Sequence, residues 1–213
     1  IGDRSTAVLI DHGLLRKDEA KQCVKALSDG LGVNIYAYDE SELFLSKLEG
    51  VTDPEKKRKI IGNQFIYSFD RIAGEMGEMA FLAQGTLYPD VIESGVSKGQ
   101  TAHIIKSHHN VGGLPEDMEF ELVEPLNELF KDEVRNVGRE LELPESLIER
   151  HPFPGPGLGV RIIGEVTKER IRILQEADQI YMDILQDDNL YNEIWQAFSV
   201  LIPVQTVGVM GDQ

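Results

Sequence analysis

Cysteine occurs once in these 213 residues, so Cys23 has no partner for an internal disulfide. No apolar run approaches the roughly 18 to 20 residues that a membrane-spanning helix needs. Basic residues are scarce, with 21 Lys and Arg against 37 Asp and Glu, and the formal net charge is −16. A surface this acidic speaks against general binding to nucleic acid or to an anionic membrane, so any phosphate site must be local. An initiator methionine and a signal-peptide pattern are also missing, and Ala7-Val8-Leu9-Ile10 already reads as a buried strand. The expectation is a cytoplasmic chain, from a reducing compartment, that begins inside a domain. What remains is ordinary globular composition, 41% hydrophobic and 27% charged, enough for one sizeable core or two small ones.

Proline and glycine are concentrated in one place. From His151 to Arg161 the chain reads His-Pro-Phe-Pro-Gly-Pro-Gly-Leu-Gly-Val-Arg. Each proline fixes φ near about −65° and removes an N–H, while each glycine admits positive φ and lets a ligand approach the bare backbone. This predicts a shaped loop that runs into a strand over 160–165 and aims the Arg161 guanidinium. Gly155, Gly157 and Arg161 are its candidate site residues, and a tight exposed turn between domains is the plainer alternative.

Apolar strand candidates alternate with helical segments elsewhere. Strands are expected at 7–10, 33–38 and 79–83, and helices at 17–27, 40–48 and 54–76. The last is introduced by Thr52-Asp53-Pro54-Glu55, with a capping-box spacing and an early proline. Alternation of this kind implies an α/β fold with a doubly wound parallel sheet, whose ligands bind beyond the carboxyl ends of the strands. Asp11, Gly13, Gln84 and Gly85 fall at those ends. Periodicity fails from about 87 to 115, then helices are expected at 124–141 and 167–185. The change in element order places a boundary at residues 152/153, giving domains 1–152 and 153–213.

The aperiodic stretch contains Asp90, Glu93, Lys106, His108 and His109. Paired carboxylates suit Mg²⁺, a hard cation, and Lys with His can neutralise a phosphate, although a solvated polar loop has the same composition. Zinc is disfavoured, because adjacent histidines point apart and no third ligand is suitably spaced. Lys56-Lys57-Arg58-Lys59 is the one dense basic run; Arg58 is the anion-binding candidate, and a solvated helix face is the bland reading.

Six segments together resemble the GMP synthases, the glutamine-dependent amidotransferases. They are Gly50 to Gly62, Gln84 to Ser94, Ile105 to Pro115, Glu124-Pro125-Leu126 with Phe130 to Arg135, His151 to Arg161, and Val207 to Asp212. The resemblance implies an adenine-nucleotide-hydrolase-like ATP-pyrophosphatase domain followed by part of an α+β dimerisation domain, in a homodimer. It implies that ATP adenylates XMP and that ammonia, from a glutaminase domain or subunit, then displaces AMP to give GMP, with pyrophosphate released. Mg²⁺ would accompany ATP. By the same resemblance Lys106 stabilises the transferring phosphate, and Asp90, Glu93, His108 and His109 surround Mg-ATP and XMP. Arg58 and Asp212 bind XMP, Ile10 and Phe65 border adenine, and the Pro/Gly loop closes the nucleotide pocket. The family's Ser-Gly-Gly-x-Asp-Ser phosphate loop, its glutaminase and its C-terminal tail do not occur here, so the expectation is an internal fragment that is inactive alone. A catalytically silent dimerisation or regulatory module, or another ATP pyrophosphatase such as an NAD synthetase, stands as the alternative.

Overall fold

The computed structural model describes residues 5–77, 79–93 and 121–204. Strand β1 (Ala7–Asp11) pairs in parallel with β2 (Ile35–Asp39), in register from Ala7 opposite Ile35 to Asp11 opposite Asp39. Helix α1 (Glu19–Leu31) makes the crossover. It ends where Gly32 adopts φ 62°, a left-handed conformation that glycine enters without a Cβ penalty. Helix α2 (Ser41–Leu48) leads to α3 (Pro54–Met76). The cap of α3 is Asp53 rather than Thr52: its carboxylate accepts the Lys56 N–H at 2.8 Å, and Pro54 follows at the position where a missing N–H costs nothing.

A second parallel pair, β3 (Phe81–Ala83) with β4 (Glu121–Val123), stands apart from the first. The α/β character and parallel pairing are as expected. Among the described residues, however, the strands form two separate two-stranded sheets.

Three expectations need correction. The stretch after residue 87 is not aperiodic at its start, because Asp90 accepts the Leu87 N–H at 2.8 Å and opens helix α4 (Tyr88–Glu93). The helix expected from 124 starts later, as α5 (Lys131–Glu140); residues 121–123 are extended against β3, and the Glu133 carboxylate takes the Phe130 N–H at 2.8 Å. The short α6 (Glu145–Ile148) follows. No strand forms over 160–165 either. Gly157–Val160 makes a 3-10 turn, and only an isolated parallel bridge joins Ile162 to Leu201. The bridge goes no further because the next donor in register would be the N–H that Pro203 lacks, and on its other side the segment is held by the Lys57 ammonium at the Gly159 and Ile162 carbonyls. Helix α7 (Lys168–Asp187) is capped by the Thr167 hydroxyl, which accepts the Arg170 N–H at 3.2 Å.

The main core unites Ile10, Leu14, Phe44, Leu48, Ile61 and Ile72 with Leu158, Ile162, Val166, Ile171 and Leu174. Side chains from both sides of residue 152 therefore share one apolar cluster.

Candidate functional site

At the carboxyl end of β1 the chain turns sharply. The Asp11 carboxylate accepts the Gly13 N–H at 2.9 Å, and Gly13 sits at φ 73° where an added Cβ would lie 2.7 Å from the Ser41 Cβ. The turn places His12, 4% exposed, beneath the Pro/Gly loop. Its Nδ1 accepts the Leu14 N–H at 3.1 Å, so Nε2 is the protonated nitrogen and donates to the Gly155 carbonyl at 3.2 Å. The Leu158 N–H donates to the Leu14 carbonyl at 2.7 Å. Lys57, on the first turn of α3, donates to the carbonyls of Gly159 at 3.1 Å and Ile162 at 2.7 Å.

Residues 155–162 are thus strapped across the β1 turn and are not an exposed connection. Gly155 is the exposed member, while Gly157, Leu158 and Gly159 are buried.

Arg161 is aimed inward by this strap. It is 5% exposed, its guanidinium lying 5.0 Å from the Phe153 ring centroid and 4.5 Å from that of Phe198. Arg16 covers Phe153 as well, at 4.9 Å, and its Nε lies 3.2 Å from the buried Asp178 carboxylate. The second Asp178 oxygen accepts the Ser199 N–H at 2.9 Å. Burial, and then the neighbouring Arg16, push the Arg161 pKa below the usual arginine range. An aromatic contact holds a guanidinium with less desolvation loss than an ammonium would suffer, which is why arginine occupies this place.

Burial also lowers the His12 pKa, with the Gly155 carbonyl opposing it more weakly. His12 is therefore neutral when folded, and the unfolded chain takes up its proton first as pH falls below about 6.5. Stability attributable to His12 is complete above that range and declines below it by up to about 1.4 kcal/mol per pH unit, until the folded-state pKa is reached. We expect His12→Gln to be less stable than the parent at pH 8 and to flatten this part of the acid-side loss. Urea midpoints at pH 8 and pH 5 for both proteins measure it; equal acid losses in the two would contradict the assignment.

A cleft of about 390 Å³ beside the Arg16 side chain is lined by Arg16, Glu19, Cys23, Arg150, Asp178 and Tyr191 among others. Its cations are already matched, since Arg150 pairs with Glu19, Arg16 with Asp178, and Lys17 with Glu176 at 2.7 Å. Burial raises the Cys23 pKa, so the thiol stays protonated and serves packing.

At the ends of β3 and β4 the buried Thr86 hydroxyl donates to Glu124 at 2.6 Å, fixing the turn that leads to Asp90. One Asp90 oxygen is engaged at the Leu87 N–H. Glu93 is the last residue of α4. Among the described residues, no group of three or more His, Cys, Asp and Glu could hold a metal ion. Arg58 is exposed on α3, where it pairs with the exposed Glu55 at 3.3 Å. Ile10 is buried, and the half-buried Phe65 packs against the same core cluster. Lys106, His108, His109 and Asp212 lie outside the described residues.

Sequence reasoning missed Lys57 and His12. A signal existed for Lys57, because it stands four residues before Ile61 on the buried stripe of α3, where an apolar residue is the norm. His12 gave none that separates it from any polar residue after a strand.

Residues 183–213 match the family described as the GMP synthase C terminal domain. The whole chain is 58% identical to the glutamine-hydrolysing GMP synthase of Symbiobacterium thermophilum, of which it covers 41%. Identity to the enzymes of the same name from Teredinibacter turnerae and Roseobacter denitrificans is 59% and 60%, again over 100% of this chain and over 40% and 41% of theirs. The similarity to these enzymes runs along the whole of this chain. It spans about 41% of the length of these curated relatives. Among solved structures, the NMN synthetase of Francisella tularensis superposes with a TM-score of 0.47 and 18% identity, over 88% of this chain and 73% of that one. No helix among the described residues is long and apolar enough to cross a membrane.

Proposed function

We propose that this chain is the central part of a GMP synthase, in which ATP adenylates the 2-oxygen of XMP and ammonia then displaces AMP to give GMP. The observation that carries this reading is the 56–60% identity to GMP synthases along the whole chain. The chemistry is consistent with it. An oxygen on a purine leaves poorly until it is adenylated, and ammonia competes with water only where water is excluded.

In this reading the parallel pairs are parts of one doubly wound sheet, and residues 1–152 and 153–213 belong to a pyrophosphatase domain and to the start of a dimerisation domain. Their shared core supports a close seam between them, not a linker. Arg58 and Asp212 take XMP. Ile10 and Phe65, in one apolar cluster, form a floor toward adenine, and Gly155 gives the loop its open edge. Lys106, Glu93, His108 and His109 face the reacting groups. Mg²⁺ fits as a cation carried in by ATP. One carboxylate, Asp90, already engaged at one oxygen, suits an ion held mainly by phosphates better than a protein cage does. The metal would screen the phosphate charge during adenylation. The partners are ATP, XMP, glutamine-derived ammonia and a second copy of the protein, in the cytoplasm; nucleic acid and membrane are not among them.

Arg58 provides the test. Its planar fork donates two parallel hydrogen bonds to an anion, which a lysine cannot imitate. Arg58→Lys in the full-length protein should weaken XMP binding about tenfold, close to 1.4 kcal/mol, and leave ATP binding intact. Separate calorimetric titrations read this. Equal losses for both nucleotides would indicate a folding defect and remove Arg58 from the site.

A further inference from the structure

Lys57 stands next to Arg58 but faces the other way. It is 1% exposed, and among the described residues it has no carboxylate partner. Burying an ammonium is costly unless hydrogen bonds replace its water. Here two backbone carbonyls do so, Gly159 at 3.1 Å and Ile162 at 2.7 Å. Both carbonyls belong to the tail of the Pro/Gly loop. Above the ammonium, the Gly159 Cα is pressed so closely that an added Cβ would lie 3.0 Å from Ile61 and 3.1 Å from Leu14. Burial and the nearby Arg170 lower the Lys57 pKa, as an ammonium held by dipoles alone requires.

A solvated helix face would not bury this side chain, and a purely apolar core would use leucine or methionine at the position. The geometry points to Lys57 as a positioning residue that clamps the Pro/Gly loop to the first turn of α3, fixing the loop relative to Arg58 on the adjacent helix face. The inference rests on the proposal that Arg58 and this loop share a nucleotide pocket. Removing the ammonium leaves two buried carbonyls without a donor, so the loop must shift to rehydrate them.

Lys57→Met in the full-length protein, which keeps the apolar stem, should raise the KM for XMP about tenfold while changing kcat less than about threefold. Amide exchange of Leu158 and Ile163 should accelerate in the same variant without any nucleotide present. A merely structural role would lower the active fraction, and so kcat, with KM unchanged. Unaltered exchange, or a loss confined to kcat, would overturn the inference. Arg58→Lys, measured alongside, separates two failures. If both variants leave the XMP KM alone, the nucleotide assignment is wrong. If Arg58→Lys alone raises it, the pocket stands and the clamp does not.

Discussion

Gly157→Ala should cost about 2–5 kcal/mol of folding free energy, the largest loss expected from a methyl added at any glycine among the described residues. Two independent terms produce it. Gly157 has φ 59°, a left-handed conformation that costs a non-glycine residue about 1–2 kcal/mol. Its new Cβ would also lie 2.2 Å from the Leu14 carbonyl oxygen, a backbone atom that cannot swing aside and that accepts the Leu158 N–H at 2.7 Å. Relief requires moving the loop off the β1 turn, an overpacking cost of about 1–3 kcal/mol. The same substitution at Gly74, inside α3 with nothing within 4 Å, should instead stabilise by up to about 1 kcal/mol. Guanidinium midpoints of the two variants, read with unchanged m values, give opposite signs if the loop is docked as described. A Gly157→Ala loss below about 1 kcal/mol would mean that the strap is loose.

Lys106→Ala should lower kcat for pyrophosphate release about 10²- to 10³-fold in the full-length protein, equivalent to about 2.7–4 kcal/mol of transition-state stabilisation. The expectation comes from the Ile105-Lys106-Ser107-His108-His109 segment and the family it resembles. A cation acting on charge that develops during transfer affects turnover more than ground-state binding, so the XMP requirement should change little. Single-turnover pyrophosphate release, with XMP varied, separates the two. Unchanged turnover with a raised XMP requirement would move Lys106 from the transferring phosphate to the XMP subsite.

Much of the fold was legible because its signals are local. Pro54 and the acidic cap fix the start of α3, and the stripe through Ile61, Ile66 and Ile72 fixes its buried face. Gly32 similarly closes α1. The failures share a different cause. Val160-Arg161-Ile162-Ile163 has strand composition, but the Ile162 carbonyl and that of the preceding Gly159 are held by a lysine about one hundred positions earlier, and no local pattern reports that. β4 went unseen because a three-residue strand has too few positions to show alternation, and its partner β3 is distant in sequence. Composition singled out the Pro/Gly loop. It could not say that Arg161 is enclosed by Phe153 and Phe198 while Gly155 stays open, since enclosure depends on which segments fold over the loop.

Pyrophosphate release from ATP with excess ammonia, compared between XMP and IMP as acceptor, tests the central claim most directly. IMP has the same sugar phosphate and purine frame but lacks the 2-oxygen that adenylation requires. With the full-length protein we predict one pyrophosphate and one AMP for each GMP formed from XMP, and only background release with IMP. Equal release with either nucleotide, or release that needs neither, would contradict the assignment of this chain to XMP adenylation.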